Sequence, residues 1–407
     1  MGLPPCLTLP ASLPIIICMR NTFSGRFRGW AVLLAVLAVG CSAPAQKPAD
    51  ATPAIVQFVY TSDSHYGVAR PLFRGGRDVN AHLVNKAMVA QINALAGAAL
   101  PKDGGVMAGQ KIGGIDFLVN SGDIANRQEA HRSIQSASVS WQQFKGDYLD
   151  GLTFKDRFNR ALAIFLLPGN HDVSNAIGYY RPMVPRVDAT AMAEIYNLMM
   201  KPAKPRTKNT YNYATDKVNY SRDVKGVHLA FVNLWPDAEA RAWLVNDLKT
   251  VSSNTPVLLF THDQPDIESK HLTNPNGRHD INEVDKFENM VAEQLKDGTT
   301  TEAPSTIEQN ELGAFLKAHP NVKAYFHGNE NFNEFYTWTS PDRRASIPVF
   351  RVDSPMRGRF SESDEKKLSF QVGVIDMASK SMTVRECLWN VSSTSLCWGA
   401  SATVPLK

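Results

Sequence analysis

The chain has 407 residues, of which 43% are apolar and 20% are charged. This length allows one large domain or two ordinary ones, and the composition excludes a disordered or fibrous protein. The net charge of +4 falls to +1 when the three arginines of the first 41 residues, which contain no acid, are set aside. Bulk charge therefore gives no reason to expect nucleic acid as a partner.

Residues 1–41 are predicted to be a signal peptide, with Met19 as its natural start. A basic stretch precedes an apolar run of 11 residues from Trp30 to Gly40. That run is too short to cross a bilayer as a helix, which needs about 20 residues, and this order of segments is typical of export. The letters AVGC resemble a bacterial lipoprotein cleavage box, with Cys41 as the lipidated residue. We expect a periplasmic protein or an outer-membrane lipoprotein, held to the membrane only by lipid; cleavage and secretion without lipid is the alternative.

Residues 42–54 are rich in alanine and proline and predict a flexible linker before a domain at 55–407. Short apolar runs predict strands at 55–60, 115–120, 161–168, 227–234, 256–261, 322–327, 347–353, 368–376 and 382–390. Helical periodicity appears at 81–96, 188–200, 237–249, 284–296 and 307–318. Early strands alternate with helices and the last three do not, which predicts a layered α/β domain with a β-rich C-terminal end. The polar stretches 174–222 and 263–306 are long enough to be insertions or lids over a site.

Side chains that bind metals follow five of the predicted strands, at the point where each strand ends. They are Asp63 and His65 in TSDSHYG, Asp123 in SGD, Asn170 and His171 in GNHD, His262 in THDQ, and the segment HGNEN at 327–331. Layered α/β folds build their sites at the carboxyl ends of strands. Aspartate can bridge two cations, imidazole and amide oxygen complete the coordination, and a histidine that is not a ligand can protonate a leaving oxygen.

These motifs resemble those of the calcineurin-like metallophosphoesterase family, from about Ile55 to Asn331. The resemblance implies a two-sheet αββα sandwich with helical and loop insertions, completed by the C-terminal strands. It also implies two divalent metal ions, with Asp63 and His65 on the first metal, Asp123 as the bridge, and Asn170 and His262 on the second. His171 is then the general acid, and Asp172 is expected to orient it.

The last motif of that family, Gly-His-x-His, is replaced here by Gly328-Asn329-Glu330-Asn331. The amide oxygens of Asn329 and Asn331 are the expected ligands at this wall of the site, with His327 as the alternative to one of them. Loss of two imidazoles weakens the preference for zinc and favours harder ions. Among Mn, Mg, Fe and Zn, we therefore expect Mn.

Four loop side chains are candidates for binding the substrate phosphate: Arg70, Arg74, Arg77 and Asn126. A guanidinium group can donate to two phosphate oxygens at once, so an arginine just beyond the first metal motif could bind the substrate phosphate. A solvated loop arginine with no ligand is the alternative for each of the three.

The only cysteines after residue 41 are Cys387 and Cys397. In an oxidising compartment, an even pair this close together predicts a disulfide that closes a small loop. Two free buried thiols are the alternative.

The sequence thus predicts an exported phosphoesterase that acts on a small phosphate mono- or diester. Metal-bound hydroxide would attack phosphorus, and His171 would protonate the departing oxygen. The alternative is a binding protein that keeps the fold but does not turn over, because Asn329 and Asn331 stand where the family has its two histidines.

Overall fold

The computed structural model describes residues 55–128, 135–156, 158–177, 188–267, 306–391 and 396–407. The predicted signal peptide, the linker and Cys41 lie outside the described residues, as do the helical pattern at 284–296 and most of the stretch 263–306. Within the described ranges, no helix is both long enough and apolar enough to cross a membrane.

The described elements are helices and strands that alternate early and become mostly strands near the C-terminus. The helices are α1 Ala81–Asn93, α2 Ala137–Phe144, α3 Asn170–Ser174, α4 Thr190–Met200, α5 Ala238–Leu248 and α6 Thr306–Ala318. The strands are β1 Ile55–Thr61, β2 Ala69–Phe73, β3 Gly76–Asn80, β4 Phe117–Asn120, β5 Arg127–Gln128, β6 Ala163–Leu166, β7 Ala176–Ile177, β8 Tyr220–Val224, β9 Val227–Phe231, β10 Val257–Phe260, β11 Val322–His327, β12 Glu334–Thr339, β13 Ser346–Arg351, β14 Ser369–Asp376, β15 Ser381–Leu388 and β16 Cys397–Pro405.

Two six-stranded sheets form the centre of the domain. The first has the order β16-β15-β14-β1-β4-β6, and the second has the order β12-β13-β11-β10-β9-β8. In the first sheet β1, β4 and β6 run parallel; in the second, β9, β10, β11 and β13 run parallel. Parallel neighbours end at the same edge of a sheet, so each sheet brings several connections together at one edge.

Aromatic side chains fill the space between the two sheets. The second sheet contributes a row of rings from its parallel strands, Phe231, Phe260, Phe326 and Phe350, with successive centroids 5.1, 4.7 and 4.8 Å apart. Phe58 and Tyr60 of β1 meet this row edge-on, with centroids 5.8 and 5.3 Å from that of Phe326. Because aromatic pairs contribute beyond their buried area, this row fixes the sheets face to face.

Helices cover the outer faces of both sheets. Leu244 of α5 and Leu316 of α6 share a buried apolar cluster with Leu259 of the second sheet. Helix α5 begins after Asp237, whose carboxylate accepts a hydrogen bond from the Ala240 amide at 2.8 Å and so caps the helix. On the other side, α1 buries Val84 in the main core. The predicted two-sheet αββα fold with a β-rich C-terminal end is confirmed.

All nine apolar runs that predicted strands form strands, and β11 spans the predicted residues 322–327. The sequence did not predict the hairpin of β2 and β3, which pairs Ala69 with Asn80. This hairpin has few buried side chains, so it lacks the apolar run on which a strand prediction depends.

The predicted disulfide is absent: Cys387 and Cys397 are free thiols in the structure. The pairing of β15 with β16 places Cys387 opposite Trp398 and Cys397 opposite Leu388. Neighbouring residues of a strand point to opposite faces, so this register separates the two thiols across the sheet. Burial raises the pKa of the Cys387 thiol far above its ordinary value, which makes it a poor nucleophile.

Candidate metal centre

The ends of the parallel strands meet at one edge of the sandwich, where their connections lie side by side. The loop after β1 pairs with the loop after β4, since the amides of Asp63 and His65 donate to the carbonyls of Gly122 and Asp123 at 2.9 and 2.8 Å. In the second sheet, the Gly328 amide donates to the His262 carbonyl at 3.0 Å. Backbone hydrogen bonds therefore fix the positions of these loops relative to one another.

Asp63, His65 and Asp123 form a buried cluster whose candidate ligand atoms all lie within 4.8 Å of one another. His65 Nε2 is 3.8 Å from Asp63 Oδ1 and 3.6 Å from Asp123 Oδ2. Burial, with the charges of Asp63 and Asp172, holds the pKa of Asp123 well above its usual range. Burial also raises the pKa of Asp63, against the backbone N–H of Asn329, which donates to its carboxylate. Two buried carboxylates side by side are costly, and a cation between them removes that cost.

His262 presents a lone pair toward Asn170 and Asp123. Its Nδ1 is 2.9 Å from the Ser121 carbonyl oxygen, which can only accept, so Nδ1 carries the proton in the neutral ring. The unprotonated Nε2 then faces Asn170 Oδ1 at 2.9 Å and Asp123 Oδ1 at 3.5 Å. Three acceptor atoms that converge in this way fit a cation, and metal-bound histidines commonly donate their other ring N–H to a backbone carbonyl.

Asn126 lies against His65 rather than in the open part of the site. Its side-chain nitrogen is 3.0 Å from His65 Nδ1, and its Oδ1 is buried with no hydrogen-bond partner among the described residues. Exchanging the two amide atoms of Asn126 would give Oδ1 a partner in the His65 Nδ1–H and would leave Nε2 as a metal ligand. The predicted substrate contact of Asn126 is thus replaced by a contact that orients His65.

His171 lies beside the carboxylate that is predicted to bridge the metals. Its backbone N–H donates to Asp123 Oδ1 at 2.8 Å, and its ring Nε2 is 4.0 Å from Asp123 Oδ2. Its side chain is 12% exposed, whereas those of His65 and His262 are 1% and 0% exposed. Its position next to the ligands, with access to solvent, is the one that a proton donor needs.

Asp172 connects the loop before α3 to the loop after β4. Its carboxylate accepts hydrogen bonds from the amides of Gly169, Ile124 and Ala125 at 2.8 to 3.1 Å. These bonds tie the first turn of α3 to the loop after β4, and burial raises the Asp172 pKa to about 6. The expectation that Asp172 orients His171 stays a prediction.

Two glycines allow the loops to approach this closely. A Cβ on Gly169 would lie 2.1 Å from Asp123 Oδ1, and one on Gly328 would lie 2.1 Å from Ser62 Oγ. Asp63, His65 and Asp123 have φ angles of 53°, 42° and 52°, in the left-handed region that residues other than glycine occupy in only a few per cent of cases. Strain of this kind is found at functional sites, where the surrounding structure holds it.

The fifth wall of the site uses its backbone more than its side chains. The Asn329 N–H donates to Asp63 Oδ2 at 3.0 Å, and its side-chain amide donates to Gln264 Oε1 at 3.0 Å. The Asn331 side-chain nitrogen donates to the Asn329 carbonyl at 2.6 Å, and Asn331 Oδ1 is buried with no hydrogen-bond partner among the described residues. That oxygen is the better candidate ligand of the two; both asparagines stay predictions as ligands.

His327 does not take the place of a missing ligand. Its side chain is buried, with Nδ1 2.9 Å from the Gly328 carbonyl and Nε2 3.0 Å from the Tyr336 hydroxyl. Strand alternation explains this, because Phe326 points between the sheets and its neighbour His327 points to the outer face with Tyr325. The alternative that placed His327 on a metal is wrong.

The three arginines predicted to bind substrate lie elsewhere. The Arg70 guanidinium is buried and donates to the backbone carbonyls of Leu72, Pro355 and Ser361. Arg74 donates from Nε to Asn390 Oδ1 at 2.8 Å. Arg77 is exposed on β3, in the hairpin that the sequence did not predict. Arg70 and Arg74 therefore bind other parts of the protein, which replaces their predicted role, whereas the predicted role of Arg77 stays a prediction.

Sequence reasoning missed a further strand end at the same edge. Strand β13 runs parallel to β11, and the turn that follows it reaches the site, because the Ser354 hydroxyl donates to the Asp63 carbonyl at 2.9 Å. The run IPVFRVD did predict this strand, and Ser354 and Arg357 in the sequence SPMR that follows it are polar, like the residues at the other strand ends.

A sequence model of the family described as calcineurin-like phosphoesterase matches residues 57–329. Among solved structures, a dimetal phosphatase from Danio rerio aligns at 11% identity with a TM-score of 0.48, covering 88% of this chain and 100% of that chain. The calcineurin-like phosphoesterase YfkN from Bacillus subtilis aligns at 10% identity with a TM-score of 0.31, covering 87% and 92%. Vps29 from Chaetomium thermophilum aligns at 8% identity with a TM-score of 0.26, covering 86% and 98%. No curated protein matches the chain.

Proposed function

Because the chain belongs to the calcineurin-like phosphoesterase family, we propose that it is a metal-dependent hydrolase of small phosphate mono- or diesters. The observation that carries this proposal is the buried pair of Asp63 and Asp123 with converging imidazole nitrogens around it. Burying two carboxylates side by side destabilises the fold, and a bound cation would offset that cost.

The donor set sorts into two metal sites that share Asp123. Asp63 and His65 would hold one ion together with Asp123, and Asn170 and His262 would hold the other. Carboxylate, amide and imidazole donors without thiolate suit Mn²⁺, Mg²⁺, Fe²⁺ or Zn²⁺, and the loss of the two family histidines favours Mn²⁺. When bound, such ions polarise phosphoryl oxygens and lower the pKa of water beside phosphorus.

The protein's own groups position the site and move one proton. His171 is the proposed general acid, and its ring Nε2 would give its proton to the leaving oxygen of the ester. The Asp123 carboxylate accepts the His171 backbone N–H at 2.8 Å, which fixes the ring relative to the bridging ligand. Asn126 and the Ser121 carbonyl orient His65 and His262 from behind.

The proposed setting is outside the cytoplasm. The basic and apolar segments of residues 1–41 support export, and the letters AVGC at 38–41 support lipid attachment at Cys41. A lipid on Cys41 would hold the domain to a membrane through the linker at 42–54, whereas cleavage alone would release it.

A second candidate function rests on Gly328-Asn329-Glu330-Asn331, which lacks both histidines of the family motif. With a weaker grip on its metals, the protein would bind a phosphoester without hydrolysing it. This candidate predicts that His171→Gln leaves ligand binding unchanged and that the wild type has no turnover to lose.

The test is metal content measured together with turnover. We would strip the purified protein, reload it with Mn²⁺, Zn²⁺, Mg²⁺ or Fe²⁺, and assay p-nitrophenyl phosphate and bis-p-nitrophenyl phosphate. We expect two metals per chain and activity that falls on the order of 10³-fold or more in Asp123→Asn. Asp78→Asn, an exposed carboxylate on β3, is the matched control. Metal without turnover under any ion would support the binding protein.

A further inference from the structure

Arg357 follows a parallel strand that ends beside the metal centre. Strand β13 is parallel to β11, with His327 opposite Arg351, so the residues after Arg351 emerge at the edge that also carries HGNEN. The turn at 354–360 therefore lies at the rim of the site. It falls beyond residue 329, where the match to the family model ends.

Hydrogen bonds fix this turn on both sides of Arg357. Ser354 Oγ donates to the Asp63 carbonyl at 2.9 Å and accepts from the Arg357 amide at 2.9 Å. Two residues later, the Arg359 amide donates to the Asn331 carbonyl at 2.6 Å. The backbone of Arg357 is thus held between a contact to the loop of the first metal motif and a contact to the fifth wall.

The packing of the turn leaves the Arg357 side chain exposed to solvent. Met356 and Gly358 are buried, and a Cβ on Gly358 would lie 2.5 Å from Asp353 Oδ1. Arg357 itself is exposed. In the part of the chain that the structure describes, its side chain makes no ion pair, hydrogen bond or ring contact. The nearby Arg359 differs, since its guanidinium stacks on the rings of Phe332 and Phe360.

The backbone contacts place Arg357 close to the metal centre. Ser354 Oγ is 2.9 Å from both the Arg357 amide and the Asp63 carbonyl, so a single hydroxyl separates Arg357 from the loop of the first metal motif. An arginine side chain is long enough to extend from this position over the neighbouring site.

We propose that Arg357 binds a non-bridging oxygen of the phosphoryl group, in the substrate and in the phosphate product. This inference rests on the proposed function, because it assigns a substrate contact to the same site. A guanidinium gives charge-assisted hydrogen bonds to phosphate, and its fork can contact two oxygens at once. Arg357 would then have the role that was predicted for Arg70, Arg74 and Arg77.

The experiment measures binding of inorganic phosphate to the Mn²⁺-loaded protein by titration calorimetry. Arg357→Gln should weaken phosphate binding by about 10- to 100-fold, the range expected for a hydrogen bond between charged groups. Arg359→Gln removes the same charge two residues away and should change binding by less than about twofold. Arg357→Lys should fall between the wild type and Arg357→Gln, because it keeps the charge and loses the fork.

Metal content and turnover separate this inference from the proposed function. In an active wild type, Arg357→Gln should raise KM for p-nitrophenyl phosphate while the metal content stays at the wild-type level. Phosphate binding unchanged in Arg357→Gln, or weakened equally in Arg359→Gln, would overturn the assignment even if the enzyme is active. A wild type that binds phosphate but does not turn over would defeat the proposed hydrolysis, and the calorimetry would still decide the role of Arg357.

Discussion

Five of the strand ends at the site contribute to it in two different ways. After β1, β4, β6 and β10, side chains face the centre, as in the 3.5 Å approach of His262 Nε2 to Asp123 Oδ1. After β11, the backbone makes the closest contact, since the Asn329 N–H donates to Asp63 Oδ2 at 3.0 Å. The fold therefore determines where each strand end lies at the site, whereas the side chains determine which ligands it offers.

The separation divides the expected effects of mutation. Changes at the first four strand ends should act on catalysis and metal binding together, whereas changes after β11 should act on metal affinity or on stability. The largest effects are expected where side chains face the centre.

His171→Gln should lower kcat on the order of 10²- to 10⁴-fold, the usual contribution of general acid–base catalysis. Metal content should not change, because His171 contacts Asp123 through its backbone N–H, which the variant keeps. Steady-state kinetics and metal analysis on the same sample measure both quantities. His319→Gln, at the end of α6, is the control. If kcat stays within a few-fold of the wild type, the proton donor lies elsewhere.

Asn331→Ala should weaken Mn²⁺ binding by about 10- to 100-fold, as loss of a supporting metal contact usually does. Its Oδ1 is buried with no hydrogen-bond partner in the described ranges, as expected for an amide oxygen that binds a cation. Asn329→Ala should have a smaller effect, because the backbone N–H that binds Asp63 remains. Competition with a chelator measures both affinities. The reverse order would make Asn329 the ligand.

Sequence reasoning predicted the fold and most positions of the site because both depend on local patterns. A buried strand can be predicted from its apolar run, and the residue that follows a parallel strand lies at the carboxyl edge of the sheet. Asp63, Asp123 and His262 were located in this way, and the structure brings them together. Tertiary contacts were not needed for that step.

The remaining details depend on contacts between residues far apart in the chain. Arg70 was predicted to bind the substrate phosphate, yet it donates to the carbonyls of Pro355 and Ser361. The thiols of Cys387 and Cys397 were close in sequence, yet the register of β15 and β16 separates them. Which atoms lie opposite each other across such distances is a property of packing, and no local motif encodes it.

Gly328→Ala tests the backbone of the fifth wall. A Cβ there would lie 2.1 Å from Ser62 Oγ and 2.3 Å from Asp63 Oδ2. Forcing an extra methyl into such a space should lower the free energy of unfolding by about 1–3 kcal/mol. Urea denaturation of the metal-stripped protein measures this effect without metal linkage. Gly146→Ala, where the added Cβ meets nothing within 4 Å, is the control. Equal stability of both variants would mean that the wall can move aside.

The smallest effect is expected at the opposite edge of the second sheet, where a proton rather than a metal satisfies a polar cluster. His228 lies near the start of β9, with Nδ1 2.7 Å from Asp223 Oδ1 and Nε2 2.8 Å from Asp247 Oδ2. Burial lowers the pKa of His228, but hydrogen bonds and charges of the two carboxylates outweigh burial and raise it. Both ring nitrogens can donate only in the charged ring.

A raised pKa in the folded state means that protonation of His228 stabilises the fold. The contribution is fully present below the unfolded pKa of about 6.5 and is lost as pH rises through the folded value. Between pH 5.5 and 8.5, the wild type should therefore lose about 1 kcal/mol or less of unfolding free energy relative to His228→Gln. Urea denaturation of the metal-stripped proteins at both pH values measures the difference. The same pH dependence in the two proteins would mean that His228 is neutral in the folded protein and that the two carboxylates do not stabilise its charged form.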